Sequence, residues 1–164
     1  ACAGGMALAG KIDGKGYRVY ALMGDGEIEE GEIWEAAMAA AKYRLDNLCG
    51  LVDVNGLQID GATAHVMPSE PLDAKFAAFG WHVIRVDGHD HEALHRAYEE
   101  ARGAMGGGKP VVVIADTVKG KGVSFMEHSV LWHYRTARGE EYEAEQDEAG
   151  RAELEAALAE LEVE

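Results

Sequence analysis

Basic residues are scarce in this chain: 15 Lys and Arg stand against 30 Asp and Glu, a formal net charge of −15 over 164 residues. That balance argues against a nucleic-acid partner, because proteins that hold a phosphate backbone carry a basic stripe. Cysteine is scarcer still. Cys2 and Cys49 give neither a disulfide framework nor the ligand spacing of a zinc site, and Cys49 lies in an apolar run, where it reads as a small buried hydrophobe. Long apolar runs are missing too: none approaches the ~20 residues that span a bilayer. No basic region precedes the first apolar stretch, so no secretory leader and no membrane partner are expected. A reducing, cytoplasmic setting is the simplest expectation.

What remains is ordinary for a globular protein, with 48% hydrophobic and 27% charged residues, and the length suits one domain with a real core. The acid is concentrated at the end. Residues 139–164 hold eleven acids and one arginine, while the rest is only mildly acidic. Leu154, Leu158 and Leu161 recur there at helical spacing, so 139–164 is expected to form an acidic amphipathic helix packed on a domain spanning 1–138.

Along that domain, apolar β-rich runs alternate with helical ones. Tyr17 to Met23, Leu48 to Val54, Trp81 to Val86 and Val111 to Thr117 read as strands. Ala1 to Lys11 reads as the end of a helix. Glu32 to Leu45 reads as a helix with Ile33, Ala37, Met38, Ala41 and Leu45 on one face, and Glu70 to Phe79 as another. Asp90 caps a helix running to about Ala104 with Leu94, Ala97, Tyr98 and Ala101 inward, ended by Gly106-Gly107-Gly108. The alternation predicts an α/β fold of three layers, a mostly parallel sheet with helices on both faces.

Gly24-Asp25-Gly26 follows the first predicted strand and Asn55-Gly56 the second, so Asp25 and Asn55 stand thirty residues apart. One strand–helix–strand unit has about that length, and it returns both strand ends to the same sheet edge. An acid and an amide can meet there around a hard cation such as magnesium, with a main-chain carbonyl near Leu57 as a third oxygen. The glycines allow close backbone approach, and the following helix offers its N-terminal amides to an anionic group. Taken singly, each half also reads as a helix cap or a turn.

Three other groups have two readings each. Glu27, Glu29, Glu30, Glu32 and Glu35 suit the first turn of a helix, and a carboxylate buried at an interface relays protons; spacing does not choose among the five. Lys119-Gly120-Lys121-Gly122 is either a flexible basic turn or a ligand loop after a parallel strand. His133 reaches an anion from the same edge or is a partly buried side chain. His65, His82, His89, His91, His95 and His128 show no metal-ligand spacing.

The segments LMGDGEIEEGEIWEAAMAAAKYRLDNL, DVNGLQIDG, FGWHVIRVDGHD and TVKGKGVSFME resemble the N-terminal, diphosphate-binding domain of transketolases, in particular the half-length form made as a separate subunit. The resemblance runs from about Gly5 to Met126. It implies thiamine diphosphate and Mg2+ as cofactors, with Asp25, Asn55 and the Leu57 carbonyl on the metal. It also implies that Gly24, Gly26 and Glu27 line the diphosphate, that Ile59 packs on the aminopyrimidine, and that Lys119 lies close to the cofactor. By the same resemblance His133 contacts the diphosphate, and Glu30 sits near a subunit interface in the network that links and activates two cofactors.

The implied activity is a transferase moving a two-carbon ketol unit between sugar phosphates in the pentose phosphate manner. The pyrimidine-binding domain with its activating glutamate is expected on a C-terminal partner subunit, in a hetero-tetramer. The family's glycine-rich diphosphate loop and cofactor-contacting histidines lie upstream of Gly5, so a truncated N-terminus is expected, and the chain alone is expected to be inactive. After His133 the chain reads Tyr134-Arg135-Thr136-Ala137, where the family has Gly, a small residue or Lys, then Ala-Pro. Two alternatives stand beside this reading. One is another thiamine-diphosphate enzyme resembling 1-deoxyxylulose-5-phosphate synthase, which shares the Lys-Gly-Lys-Gly loop. The other is a catalytically silent interaction subunit.

Overall fold

The structure, a computed structural model, describes residues 1–123 and 126–134. The domain boundary at 138 and the acidic helix expected over 139–164 lie outside the described residues. Four strands, β1 (Val19–Gly24), β2 (Leu48–Val54), β5 (His82–Asp87) and β6 (Val111–Asp116), form one parallel sheet in the order β1-β2-β6-β5. A small antiparallel hairpin, β3 (Leu57–Gln58) and β4 (Gly61–Ala62), follows β2. The helices are α1 (Cys2–Ile12), α2 (Gly31–Lys42), α3 (Thr63–Val66), α4 (Leu72–Ala78) and α5 (His91–Ala104). None of the described helices is long and apolar enough to cross a membrane.

β6 shows why the sheet is covered on both faces. Its residues alternate between two separate cores. Val112 and Ile114 pack with Ala7 of α1, Ala37 and Ala40 of α2 and Phe76 of α4. Val111 and Val113 pack with Cys49, Ile84 and the α5 residues Ala97 and Ala101. A strand buried on both sides must be apolar at every position, which accounts for the unbroken Val-Val-Val-Ile run. The three-layer α/β architecture is therefore as expected.

Helix ends are set by local chemistry. α5 starts where the Asp90 carboxylate accepts the Ala93 N–H (2.8 Å), as a capping residue does. α2 stops earlier than the expected Leu45. Arg44 takes a left-handed φ of 50°, the Leu45 N–H bonds back to the Ala40 carbonyl (2.9 Å), and the Arg44 N–H to that of Ala41 (3.1 Å). This paired closure terminates a helix whatever its hydrophobic periodicity says.

Two expected inward residues face out instead. Met38 is 51% exposed because it lies about 100° around α2 from Ala37, and the small Ala37 and Ala40 make the contact with the sheet. Tyr98 is 48% exposed; α5 presses Ala97 and Ala101 against β5 and β6 and leaves Tyr98 beside Leu22 and Leu51.

Cys49 behaves as a buried hydrophobe. It is 1% exposed and burial pushes its thiol up to about 11, whereas Cys2 is exposed. A thiol reagent at mildly alkaline pH is expected to modify Cys2 in the native chain and Cys49 only after denaturation, as counted by mass spectrometry. Two modified thiols in the native state would contradict this placement.

Candidate cofactor and cation site

The carboxyl ends of β1, β2 and β6 share one edge, locked together by main-chain bonds. The Asp25 N–H donates to the Asp53 carbonyl (3.0 Å), and the Thr117 N–H to that of Val54 (2.9 Å). Loops leaving these ends enclose an open cleft of about 480 Å³. Gly24, Asp25, Gly26 and Glu27 line it from the first loop, and Asn55, Leu57 and Ile59 from the segment after β2. Lys119 and His133 complete the wall, the latter carried by a 3-10 turn over Val130–His133 that packs on β3. Nine of the ten residues singled out in the sequence thus meet in one cleft. The tenth, Glu30, is exposed at the start of α2, makes no capping hydrogen bond, and does not line the cleft.

Asp25 is the most constrained member. It is 2% exposed, and its carboxylate accepts the Gly26 N–H (3.1 Å), the Gly56 N–H (2.8 Å) and the Thr63 hydroxyl (3.3 Å). Burial pushes its acid up from the ordinary carboxylate range, and the three hydrogen bonds oppose that shift without cancelling it. Among the described residues no lysine or arginine pairs with it. A buried acid so placed is strained electrostatically unless a cation joins it.

Asn55 is held at both ends of its amide. Its Nδ2 donates to Asp53 (2.9 Å), and its Oδ1 accepts the Leu57 N–H (3.1 Å) while keeping a second lone pair. Glu27 folds back so that its carboxylate accepts the Gly24 N–H (3.2 Å). A Cβ at Gly26 would meet the Gln58 Cβ at 3.0 Å, so a side chain there would push the hairpin out of place.

The helix expected from Glu32 starts one residue earlier, and the loop after β1 reaches it indirectly. A 3-10 turn over Glu27–Glu29 intervenes, and α2 begins at Gly31. With its amide nitrogen turned toward the acid, Gln58 donates to Glu29 (2.6 Å) and ties that turn to the hairpin.

Sequence reasoning missed Asp53, Gln58, Asp60, Thr63 and Thr117. An acid two residues before the asparagine, at the end of a parallel strand, was a readable signal for Asp53. Thr63 had none, because only the hairpin fold-back brings it to Asp25. Among the described residues no three of the His, Cys, Asp and Glu side chains cluster as a metal-binding group. His82 pairs with Glu100, and His89 accepts the Val118 N–H (2.7 Å), which steadies the chain just before Lys119.

Carboxylates predominate among the polar side chains of this cleft: Asp25, Glu27, Asp53 and Asp60 line it together with Lys119 and His133. The donors are carboxylate, amide and carbonyl oxygen, the set that suits a hard dication and not a thiophilic metal. Asp25, buried and without a cationic partner among the described residues, and the Asn55 oxygen with its second lone pair are a donor set that fits Mg2+, while Lys119 in the same cleft fits an anionic group such as a diphosphate.

Comparison with known proteins identifies the family of the chain. The family described as transketolase, thiamine diphosphate binding domain, matches residues 11–154. The chain is 47% identical over 129 residues to a 6-deoxy-6-sulfo-D-fructose transketolase subunit of Clostridium sp., covering 79% of this chain and 46% of that protein. It is 45% identical over 139 residues to one subunit of the apulose-4-phosphate transketolase of Phocaeicola vulgatus, covering 85% of this chain and 49% of that protein. The chain thus spans about half the length of these relatives. The crystal structure of transketolase from Campylobacter jejuni superposes with a TM-score of 0.72 at 32% identity, over 78% of this chain and 21% of that one. The chain belongs to the transketolase family, within its thiamine diphosphate binding domain.

Proposed function

We propose that this chain is the diphosphate-binding part of a two-subunit transketolase, a cytoplasmic enzyme that transfers a two-carbon ketol unit from a ketose phosphate to an aldose phosphate. One observation carries the reading: Asp25 is buried, lacks a cationic partner among the described residues, and shares its cleft with a free lone pair of Asn55. Asp25, Asn55 Oδ1 and the Leu57 carbonyl hold Mg2+ in this scheme. Gly24, Gly26 and Glu27 line the diphosphate, with Lys119 and His133 facing it across the cleft.

Thiamine diphosphate supplies, when bound, the carbanion stabilisation that breaking a carbon–carbon bond next to a carbonyl requires. The role of this chain is to bind and orient. Ile59, apolar and 59% exposed at the cleft rim, offers a surface on which an aromatic ring can pack. Glu30, exposed outside the cleft, is free to meet a second protomer, and the activating acid and pyrimidine pocket belong to the partner in a hetero-tetramer. The relatives are named for apulose 4-phosphate and for a sulfonated fructose, so the sugar here is drawn from a class wider than the pentose phosphates.

The test is calorimetric titration of thiamine diphosphate into the full-length protein in complex with its partner, with Mg2+ and with chelator, alongside a ketol-transfer assay. Binding that needs Mg2+ is expected. Affinity for Mg2+ is also expected to weaken as the pH falls. Burial raises the Asp25 acid, so it takes up a proton above the ordinary carboxylate range, and only its ionised form is a ligand. Cofactor affinity indifferent to Mg2+ would overturn the reading.

A further inference from the structure

Asp53 holds both cleft residues that face the cation position. Its carbonyl accepts the Asp25 N–H (3.0 Å), which fixes the turn carrying Asp25. Its carboxylate accepts the Asn55 Nδ2 (2.9 Å) on one oxygen and the Thr117 hydroxyl on the other. Asp53 itself is anchored near the carboxyl end of an internal strand, paired in register with Gly24 of β1 on one side and Ala115 of β6 on the other.

This arrangement has a directional consequence. A free asparagine amide can present either end, nitrogen or oxygen, with nearly the same shape. A carboxylate accepts hydrogen bonds and donates none, so it takes the nitrogen end and leaves Oδ1 pointing away from it. Turning the amide over would set Oδ1 against the Asp53 carboxylate and Nδ2 against the Leu57 N–H, two like-with-like contacts at once. The bond to a charged acceptor also draws the amide N–H proton outward and builds negative charge on Oδ1, which makes it a better oxygen donor.

We propose that Asp53 is a positioning residue of the cation site, acting through Asn55: it selects the oxygen-forward orientation of the amide and raises its basicity. Thr117 is the brace that keeps the Asp53 carboxylate in that pose, and so links the end of β6 to the site. The inference rests on the reading of Asn55 as a cation ligand.

A double-mutant cycle tests it in the assembled enzyme, with Mg2+ titrated in the presence of thiamine diphosphate and raised until the cofactor binds. Melting temperature without either ligand is measured in parallel. Asp53→Ala is expected to weaken Mg2+ by about 10–100-fold. In an Asn55→Ala background the same change is expected to have less than about a twofold effect, since a residue acting only through Asn55 has nothing left to orient. Asp53→Asn, which keeps one acceptor oxygen, should recover part of the loss. If Asp53→Ala does not fold, Thr117→Val carries the cycle, with a smaller loss that also vanishes in the Asn55→Ala background.

Additive losses would make Asp53 a ligand or a general source of field and overturn the inference, as would an unchanged Mg2+ affinity. A melting-temperature loss with no change in Mg2+ dependence would show a structural role only, and overturns it equally. Mg2+ binding that ignores Asn55→Ala would remove the reading of Asn55 as a ligand, and the inference with it.

Discussion

Asp25→Ala is expected to abolish Mg2+-dependent binding of thiamine diphosphate, weakening it by about 100-fold or more, close to 3 kcal/mol. The change removes an anionic oxygen ligand and leaves the Gly26 and Gly56 N–H groups and the Thr63 hydroxyl without their acceptor. Asp25→Asn separates the two effects, because it keeps the size and one acceptor oxygen but not the charge. Burial raises the native acid above its unfolded value, so the ionised group opposes folding at neutral pH when no cation is present. With Mg2+ and thiamine diphosphate, only the unaltered protein should gain in melting temperature. Equal gains in both would remove Asp25 from the site.

Phe76→Ala is expected to cost about 3–5 kcal/mol of folding stability, measured by denaturant unfolding. Phe76 is 1% exposed and touches two tryptophans, with ring centroids 5.3 Å from Trp34 and 5.3 Å from Trp81. Trp34 belongs to α2, and Trp81, whose indole N–H donates to the Ala37 carbonyl (3.0 Å), leads into β5. Deleting the ring opens a void between α2, α4 and the sheet that backbone this firmly paired cannot collapse to fill. Domains of this size have about 5–15 kcal/mol in total, so the variant should sit near the edge of folding. A loss under about 1 kcal/mol would mean that the surrounding helices close over the gap.

The elements were legible because periodicity and end signals agreed. Val111 to Ile114 reads as a buried strand and is one; Asp90 reads as a cap and is one. Where they diverged, the cause was local geometry that hydropathy does not encode. α2 ends at Lys42 because Arg44 adopts a left-handed turn, although apolar spacing continues to Leu45. Met38 and Tyr98 satisfy the helical pattern and still face outward, because alanines one position away allow closer contact with the sheet.

For the site, glycine placement and strand-unit spacing pointed to Asp25 and Asn55, and the structure brings both to one cleft with Lys119 and His133. Those are properties of the chain itself. A Gly-Asp-Gly turn after one parallel strand and an Asn-Gly turn after the next must open on the same edge, since parallel strands end together. Strand order, by contrast, was decided only in three dimensions. β6 inserts between β2 and β5, and this long-range pairing sets the Thr117 hydroxyl on Asp53.

The hairpin fold-back that brings Thr63 to Asp25 was equally invisible, because it depends on contacts between residues 38 apart and on no local pattern. Sequence by itself determined the α/β class, the candidate ligands and the edge at which they meet, because each follows from periodicity or from short-range turn chemistry. Only the tertiary structure decided which groups orient and brace those ligands. Such partners are chosen by packing across the sheet, where neighbours in space are distant along the chain.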